Sequence, residues 1–235
     1  MISGLQKMTL LDFPGKVACT VFLQGCNFRC PFCHNSDLLP GQGQPLMEQD
    51  ELLAFLKKRV GLLDGVCVSG GEPTLDPGLP ALLRGIKDLG YAVKLDTNGT
   101  KPALLKQLVA DGLVDYVAMD IKNCPDCYPD TAGVPGLPLE KLEESIRFLL
   151  EGRVDYEFRT TVADELHDAG AMAAIGAWLQ ELQPGKKAER FFLQPYVDRE
   201  SVLCGGLHTP EREKLLEMAG SLAPFVETVQ IRAMD

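Results

Sequence analysis

Three observations predict an α/β fold of strand–helix–strand units in this 235-residue sequence. Short runs rich in β-branched and aromatic residues, bounded by Gly, Pro or Asp, read as strands. Apolar stripes spaced three and four residues apart lie between them and read as helices. Alternation of the two is the mark of parallel βαβ units. The polar motifs, thirdly, fall just after strands, the edge at which parallel α/β folds bind ligands.

Residues 1–15 carry Leu5, Met8, Leu10, Leu11 and Phe13 around Asp12 and Pro14-Gly15. A short edge strand and turn fits them, but the pattern does not decide it. Strands are expected over 17–23, 66–69, 92–96, 114–119, 154–160, 190–194 and 228–231. The first helical stripe is Leu52, Phe55, Leu56 and Val60. The second is Leu82, Ile86 and Leu89, with Asp76 and Pro77 suited to its cap and first turn. Leu104, Leu105, Leu108 and Val109 end at Gly112, and Leu142, Ile146, Leu149 and Leu150 end at Gly152. Met172, Ile175, Leu179 and Leu182 form the fifth stripe, and Leu215, Met218 and Leu222 the sixth, behind Thr209-Pro210. Seven strands are too few for an eightfold barrel, so a partial barrel and an open sheet both fit. The length suits one domain, 1–235.

A net charge of −10 argues against nucleic acid as a partner, since phosphate contacts need a basic footprint. No apolar run reaches the roughly 18 residues of a membrane span, and the first residues lack a signal-peptide core. A cytoplasmic location without membrane contact is expected, where eight cysteines serve as thiols or metal ligands rather than disulfides.

Residues 24–46 are long for a connection between strand and helix, and such loops are usually functional. This one holds Cys26, Cys30 and Cys33 in C-x3-C-x2-C spacing, with Phe32 before the last thiol. Iron–sulfur cubanes normally take four thiolates. Three would leave one iron open, and an open position is where a metal site does chemistry. The zinc alternative must bring Cys204 or His208 from far away as a fourth ligand. The next strand ends in Ser69-Gly70-Gly71-Glu72-Pro73, where paired glycines let backbone approach a ligand and Glu72 offers an acceptor. Another ends in Asp96-Thr97-Asn98-Gly99, which also reads as an Asx turn with Thr100 capping a helix. Asp120 and Lys122 share one side of an extended segment and are placed to pair. Arg159 suits a ligand carboxylate, or else Asp155 or Glu157. Cys124-Pro125-Asp126-Cys127 reads as incidental, with a redox pair or half of a second metal site beside Cys67 or Cys204 as alternatives. Cys19 reads as core, and His167 and His208 as surface residues.

The cysteine spacing, its aromatic and the Gly-Gly-Glu-Pro turn one unit later resemble the signature of radical S-adenosylmethionine (SAM) enzymes. Asp96-Thr97-Asn98-Gly99 and Asp120-Ile121-Lys122 narrow the resemblance to glycyl-radical-enzyme activating proteins. The opening Gly4-Leu5-Gln6-Lys7, Asp12 to Lys16 and Phe22 to Asn27 are most similar to anaerobic ribonucleoside-triphosphate reductase activating proteins. The resemblance implies a radical SAM partial (β/α)6 TIM-like barrel and one [4Fe-4S] cluster on Cys26, Cys30 and Cys33. It implies SAM bound by Phe32, Gly70, Gly71, Glu72, Thr97, Asn98, Lys122 and Arg159. Asp96 and Asp120 would lie at the radical-forming site, near a monovalent cation or the substrate loop. The implied partners are a glycyl radical enzyme and a flavodoxin- or ferredoxin-like reductant. No domain is appended before Asp235 to cover a small substrate, which favours a protein loop. A radical SAM enzyme acting on a small molecule and a non-catalytic metal or electron-transfer protein are the competing readings.

Overall fold

The computed structural model describes residues 1–39 and 46–232. Segment 40–45, within the long connection 24–46, lies outside them. The strands are β1 (Ile2–Thr9), β2 (Ala18–Leu23), β3 (Gly65–Gly70), β4 (Ala92–Thr97), β5 (Tyr116–Asp120), β6 (Asp155–Val162), β7 (Ala188–Pro195) and β8 (Val226–Ile231). They form one sheet ordered β1 to β8, so the sheet is open rather than closed on itself. All seven expected strands are present, and the undecided opening stretch is an eighth. It pairs antiparallel with β2, because the connection 10–17 is too short for the crossover that a parallel pair requires. β2–β3, β3–β4, β6–β7 and β7–β8 are parallel.

The six stripes fold as α1 (Gln49–Lys57), α2 (Leu79–Asp88), α3 (Pro102–Ala110), α5 (Glu140–Leu150), α6 (Ala169–Leu182) and α7 (Arg212–Leu222), except that Val60 of the first stripe lies beyond α1 and is exposed. A short α4 (Tyr128–Thr131) is additional. Two expected helix starts shift. α2 begins after Asp76-Pro77, because the Asp76 carboxylate accepts the Gly78 N–H at 2.8 Å and holds a preceding turn. α3 follows Lys101 rather than a Thr100 cap, since the Thr100 hydroxyl donates to Asn98 Oδ1 at 2.7 Å. Among the described residues no helix is long and apolar enough to cross a membrane.

The chain divides into two compact units. The first comprises 1–27, 37–118 and 153–155; the second comprises 28–36, 119–152 and 156–235. In the first, Phe13 turns back from the β1–β2 connection and packs on Ala18, Ala92 and Tyr116. Those residues begin β2, β4 and β5, so the ring plugs the N-terminal ends of the parallel strands. A Cβ on Gly65, the first residue of β3, would meet the ring at 2.9 Å, which explains a glycine there. Phe13→Ala is expected to lower stability by about 3–5 kcal/mol through lost burial and a residual cavity. Urea denaturation measures this, and an unshifted midpoint would refute the plug.

In the second unit, β6 and β7 carry a buried aromatic row. The Tyr156 and Phe158 rings lie 5.2 Å apart, and Phe158 lies 6.4 Å from Phe191. The fully buried Glu157 carboxylate accepts from Arg232, whose guanidinium lies 4.6 Å over the Phe192 ring. A buried charge of this kind persists because it is paired.

Candidate functional site

In the first unit the ends of β2, β3 and β4 are laced together by backbone. Gly71 N–H donates to Leu23 O at 3.0 Å, and Glu72 N–H to Gly25 O at 2.7 Å. Gly70 has φ 124, and a Cβ there would lie 2.2 Å from Leu23 O. At Gly71 a Cβ would lie 2.1 Å from Gly25 O and 3.2 Å from the Cys26 Cβ. The close approach that these glycines permit is therefore to the chain carrying Cys26. The glycine pair sets the height of the first thiol.

Glu72 is 1% exposed. Its carboxylate accepts from Thr74 N–H at 3.0 Å, from the Thr74 hydroxyl, from Thr97 Oγ1 at 2.8 Å and from Asn98 N–H. Burial pushes its pKa above the ordinary value, against the lowering effect of these bonds. With four donors on one buried carboxylate, Glu72 pins the Thr97-Asn98 turn to its own turn. Asn98 Nδ2 donates in turn to Asn27 Oδ1 at 2.9 Å, and Asn27 Nδ2 to Thr100 Oγ1 at 3.1 Å. Both the glutamate and the Asx turn thus hold the residue after Cys26. Asp96, also buried, accepts from Ser69 Oγ at 2.9 Å and from Lys94 Nζ. Lys94 is itself 1% exposed, with Nζ 3.8 Å from Cys67 Sγ. The reading of the sequence passed over Asn27 and Lys94. Lys94 was visible as the residue two before Asp96, on the same side of a strand.

In the second unit, Asp120 stands between two cations. Its Oδ2 accepts from Lys122 Nζ at 2.8 Å and its Oδ1 from Arg159 Nε. Arg159 thus meets Asp120. Burial works against the Asp120 charge, but Arg159 and then Lys122 outweigh it and hold the carboxyl well below the usual range. Burial likewise opposes the Lys122 charge, and Asp120 and then Cys30 outweigh it. The lysine is therefore electrostatically coupled to a cysteine of the loop. Its Nζ lies 5.9 Å over the Phe32 ring, within cation–π range.

The backbone here is held by two residues without a sequence signal. The Tyr128 hydroxyl donates to Asp120 O at 3.3 Å. His167, expected at the surface, is 2% exposed. Its Nδ1 accepts the Ala163 N–H at 3.2 Å, so Nε2 carries the proton given to Lys122 O at 2.8 Å. The ring lies 6.1 Å from Phe32. His208 is exposed, as expected, and pairs with Glu165. The cysteine segment is clasped from the far end of the chain: Cys204 N–H donates to Pro31 O at 3.0 Å, and Ser201 Oγ to His34 O at 2.7 Å. Cys19 is core, and burial pushes its thiol up to about 11.

Residues 20–172 match the radical SAM superfamily. The chain belongs to that superfamily. This radical SAM protein is 28% identical to a Methanocaldococcus jannaschii protein described as a glycyl-radical enzyme activating enzyme, over 100% of this chain and 97% of that one. It is 32% identical to a pyruvate formate-lyase-activating enzyme of Streptococcus mutans, over 83% of this chain and 77% of the relative. In fold it is similar to Streptococcus suis SuiB bound to its precursor peptide. The TM-score is 0.71 at 12% identity, over 91% of this chain and 48% of that chain, so this chain spans about half of SuiB. The α/β architecture with a mostly parallel, unclosed sheet is the one expected.

Radical SAM enzymes use a [4Fe-4S] cluster and SAM, and the residues present fit both. Gly71 leaves the Gly25 backbone and the Cys26 Cβ a seat that a Cβ would fill. Lys122 supplies a half-buried cation, coupled to Cys30, for a carboxylate. Among the described residues no three His, Cys, Asp or Glu side chains are grouped to hold a metal ion. A cubane binds each thiolate through a different iron and needs no common point. Asp96 and Asp120 already carry side-chain cations, which an added monovalent cation would have to displace.

Lys122→Ala is expected to weaken SAM binding without loss of iron. A charge-assisted hydrogen bond is worth about 1.5–3 kcal/mol, or roughly tenfold to hundredfold in Kd. Equilibrium binding to the reconstituted protein measures it. Unchanged affinity would remove Lys122 from the SAM site.

Proposed function

We propose that this radical SAM enzyme is an activase that generates a glycyl radical on a partner protein, the partner being an anaerobic ribonucleotide reductase. The observation that carries the reading is similarity over the whole chain to a protein described as a glycyl-radical enzyme activating enzyme. The ribonucleotide reductase assignment rests on the opening motifs from Gly4 to Asn27. Cys26, Cys30 and Cys33 hold the cluster, and Gly70, Gly71 and the Thr97-Asn98 turn shape the wall on which SAM lies. Glu72 acts as a positioning residue there, because its carboxylate is spent on that turn. Lys122 meets the SAM carboxylate, with Phe32 beneath it and Arg159 fixing Asp120 alongside. When bound, cluster and SAM supply a 5′-deoxyadenosyl radical that takes a hydrogen atom from glycine. Asp96 and Asp120 orient the incoming loop by accepting its backbone N–H groups. A flavodoxin- or ferredoxin-like protein delivers the electron.

The test mixes the protein anaerobically with a co-encoded glycyl radical enzyme, SAM and reductant, and records the electron paramagnetic resonance spectrum. The expected signal is a doublet that collapses when the partner carries α-deuterated glycine. SAM cleavage coupled to a modified metabolite, with no radical on the partner, would overturn the activase.

A further inference from the structure

The segment after Lys122 holds two thiols that the proposed reaction does not use. Cys124-Pro125-Asp126-Cys127 folds as a 3-10 turn, with Cys127 N–H on Cys124 O at 3.1 Å. Cys124 is buried and Cys127 exposed. A four-residue turn closed by such a backbone bond keeps its end Cα atoms within about 7 Å, and a disulfide spans roughly 4.4–6.8 Å between Cα atoms.

The flanks of the turn are fixed. Cys124 N–H donates to Asn123 Oδ1 at 2.8 Å. Asn123 Nδ2 is held by Thr131 Oγ1 and Leu166 O, both at 2.9 Å. On the other side Tyr128 is fully buried.

We propose that Cys124 and Cys127 are a second redox site of this protein, a dithiol that exchanges electrons in pairs with an external disulfide. Cys127, the exposed sulfur, attacks the external disulfide as a thiolate. The external S–S bond breaks, one thiolate leaves, and a mixed disulfide forms on Cys127. Cys124 then attacks the Cys127 sulfur and expels the second thiolate, closing the internal bridge. The dithiol is oxidised by two electrons, the external disulfide is reduced to two thiols, and the two protons pass to the departing sulfurs. The hydrogen bond to Cys124, partial burial and then the Cys124, Asp126 and Asp130 charges hold the Cys127 proton above the ordinary thiol value. The thiolate fraction at neutral pH is accordingly small and the exchange slow.

The site lies on the segment that joins Lys122 to the cysteine loop. Downstream of it, Ala132 O accepts the Arg29 N–H at 2.8 Å, and Gly133 lies against Arg29 where a Cβ would fall 2.3 Å from its carbonyl oxygen. Neither SAM nor a partner enzyme enters the argument, so it stands or falls apart from the activase.

The experiment equilibrates the anaerobically reconstituted full chain in mixtures of oxidised and reduced dithiothreitol, then alkylates and digests it. Expected is a Cys124–Cys127 peptide two hydrogens lighter, its fraction rising smoothly with the oxidised share, with iron content constant. Cys124→Ser and Cys127→Ser should each abolish that transition. Alkylation of both thiols at every ratio would overturn the proposal. So would a bridge from either cysteine only to Cys204 or Cys67.

Discussion

Gly71→Ala is expected to strip the cluster site although it removes no ligand. The added Cβ would sit 2.1 Å from Gly25 O and 3.2 Å from the Cys26 Cβ, distances that no side-chain rotation relieves. Backbone must move, and the chain that moves carries the first cysteine and the N–H of Glu72 bonded to Gly25 O. Iron per protein should fall severalfold after anaerobic reconstitution, and 5′-deoxyadenosine formation by about a hundredfold or more, as with misplaced catalytic groups. Gly220→Ala is the control, since Gly220, like Gly71, has no positive φ but meets nothing within 4 Å. Full iron loading and turnover in the Gly71 variant would show that the glycine pair does not seat the cysteine loop.

Cys30→Ala should abolish SAM cleavage altogether. Cys30 is buried and couples electrostatically to Lys122 and Tyr128. Its loss would take both an iron ligand and the negative neighbour of the lysine proposed to meet SAM. Iron and sulfide analysis with 5′-deoxyadenosine quantification measures both. Wild-type turnover by this variant would sink the three-cysteine assignment. Cys127→Ala, in contrast, should keep its iron.

Strand–helix alternation was legible because short β-branched runs and helical stripes are local patterns, and all seven strands so marked are present. β1 was not decided, since as an antiparallel edge strand its burial does not alternate cleanly. The polar motifs were legible as positions, less so as roles. A sequence shows that Glu72 follows two glycines, but not that four donors converge on its carboxylate. It shows a pair at Asp120 and Lys122, but not that Arg159 arrives from a strand 39 residues away. His167 was misjudged because burial of a lone histidine is set by tertiary contacts. Its two partners, Ala163 and Lys122, are both backbone groups, which leave no trace in residue type.

That histidine gives the strand end a particular behaviour in acid. Burial holds the His167 pKa below its ordinary value, with its bonds to Lys122 and Ala163 only partly offsetting this. A proton on Nδ1 would set two donors against each other at the Ala163 N–H, so the folded ring refuses it. The unfolded chain accepts it near the ordinary value of about 6.5. Below that pH the unfolded state binds more protons, and folding stability declines as pH falls. The geometry around Lys122 meanwhile stays as it is until the fold itself gives way. Acid would therefore register in this protein first as a lower melting temperature, with the grip on the Lys122 carbonyl unchanged in the molecules still folded.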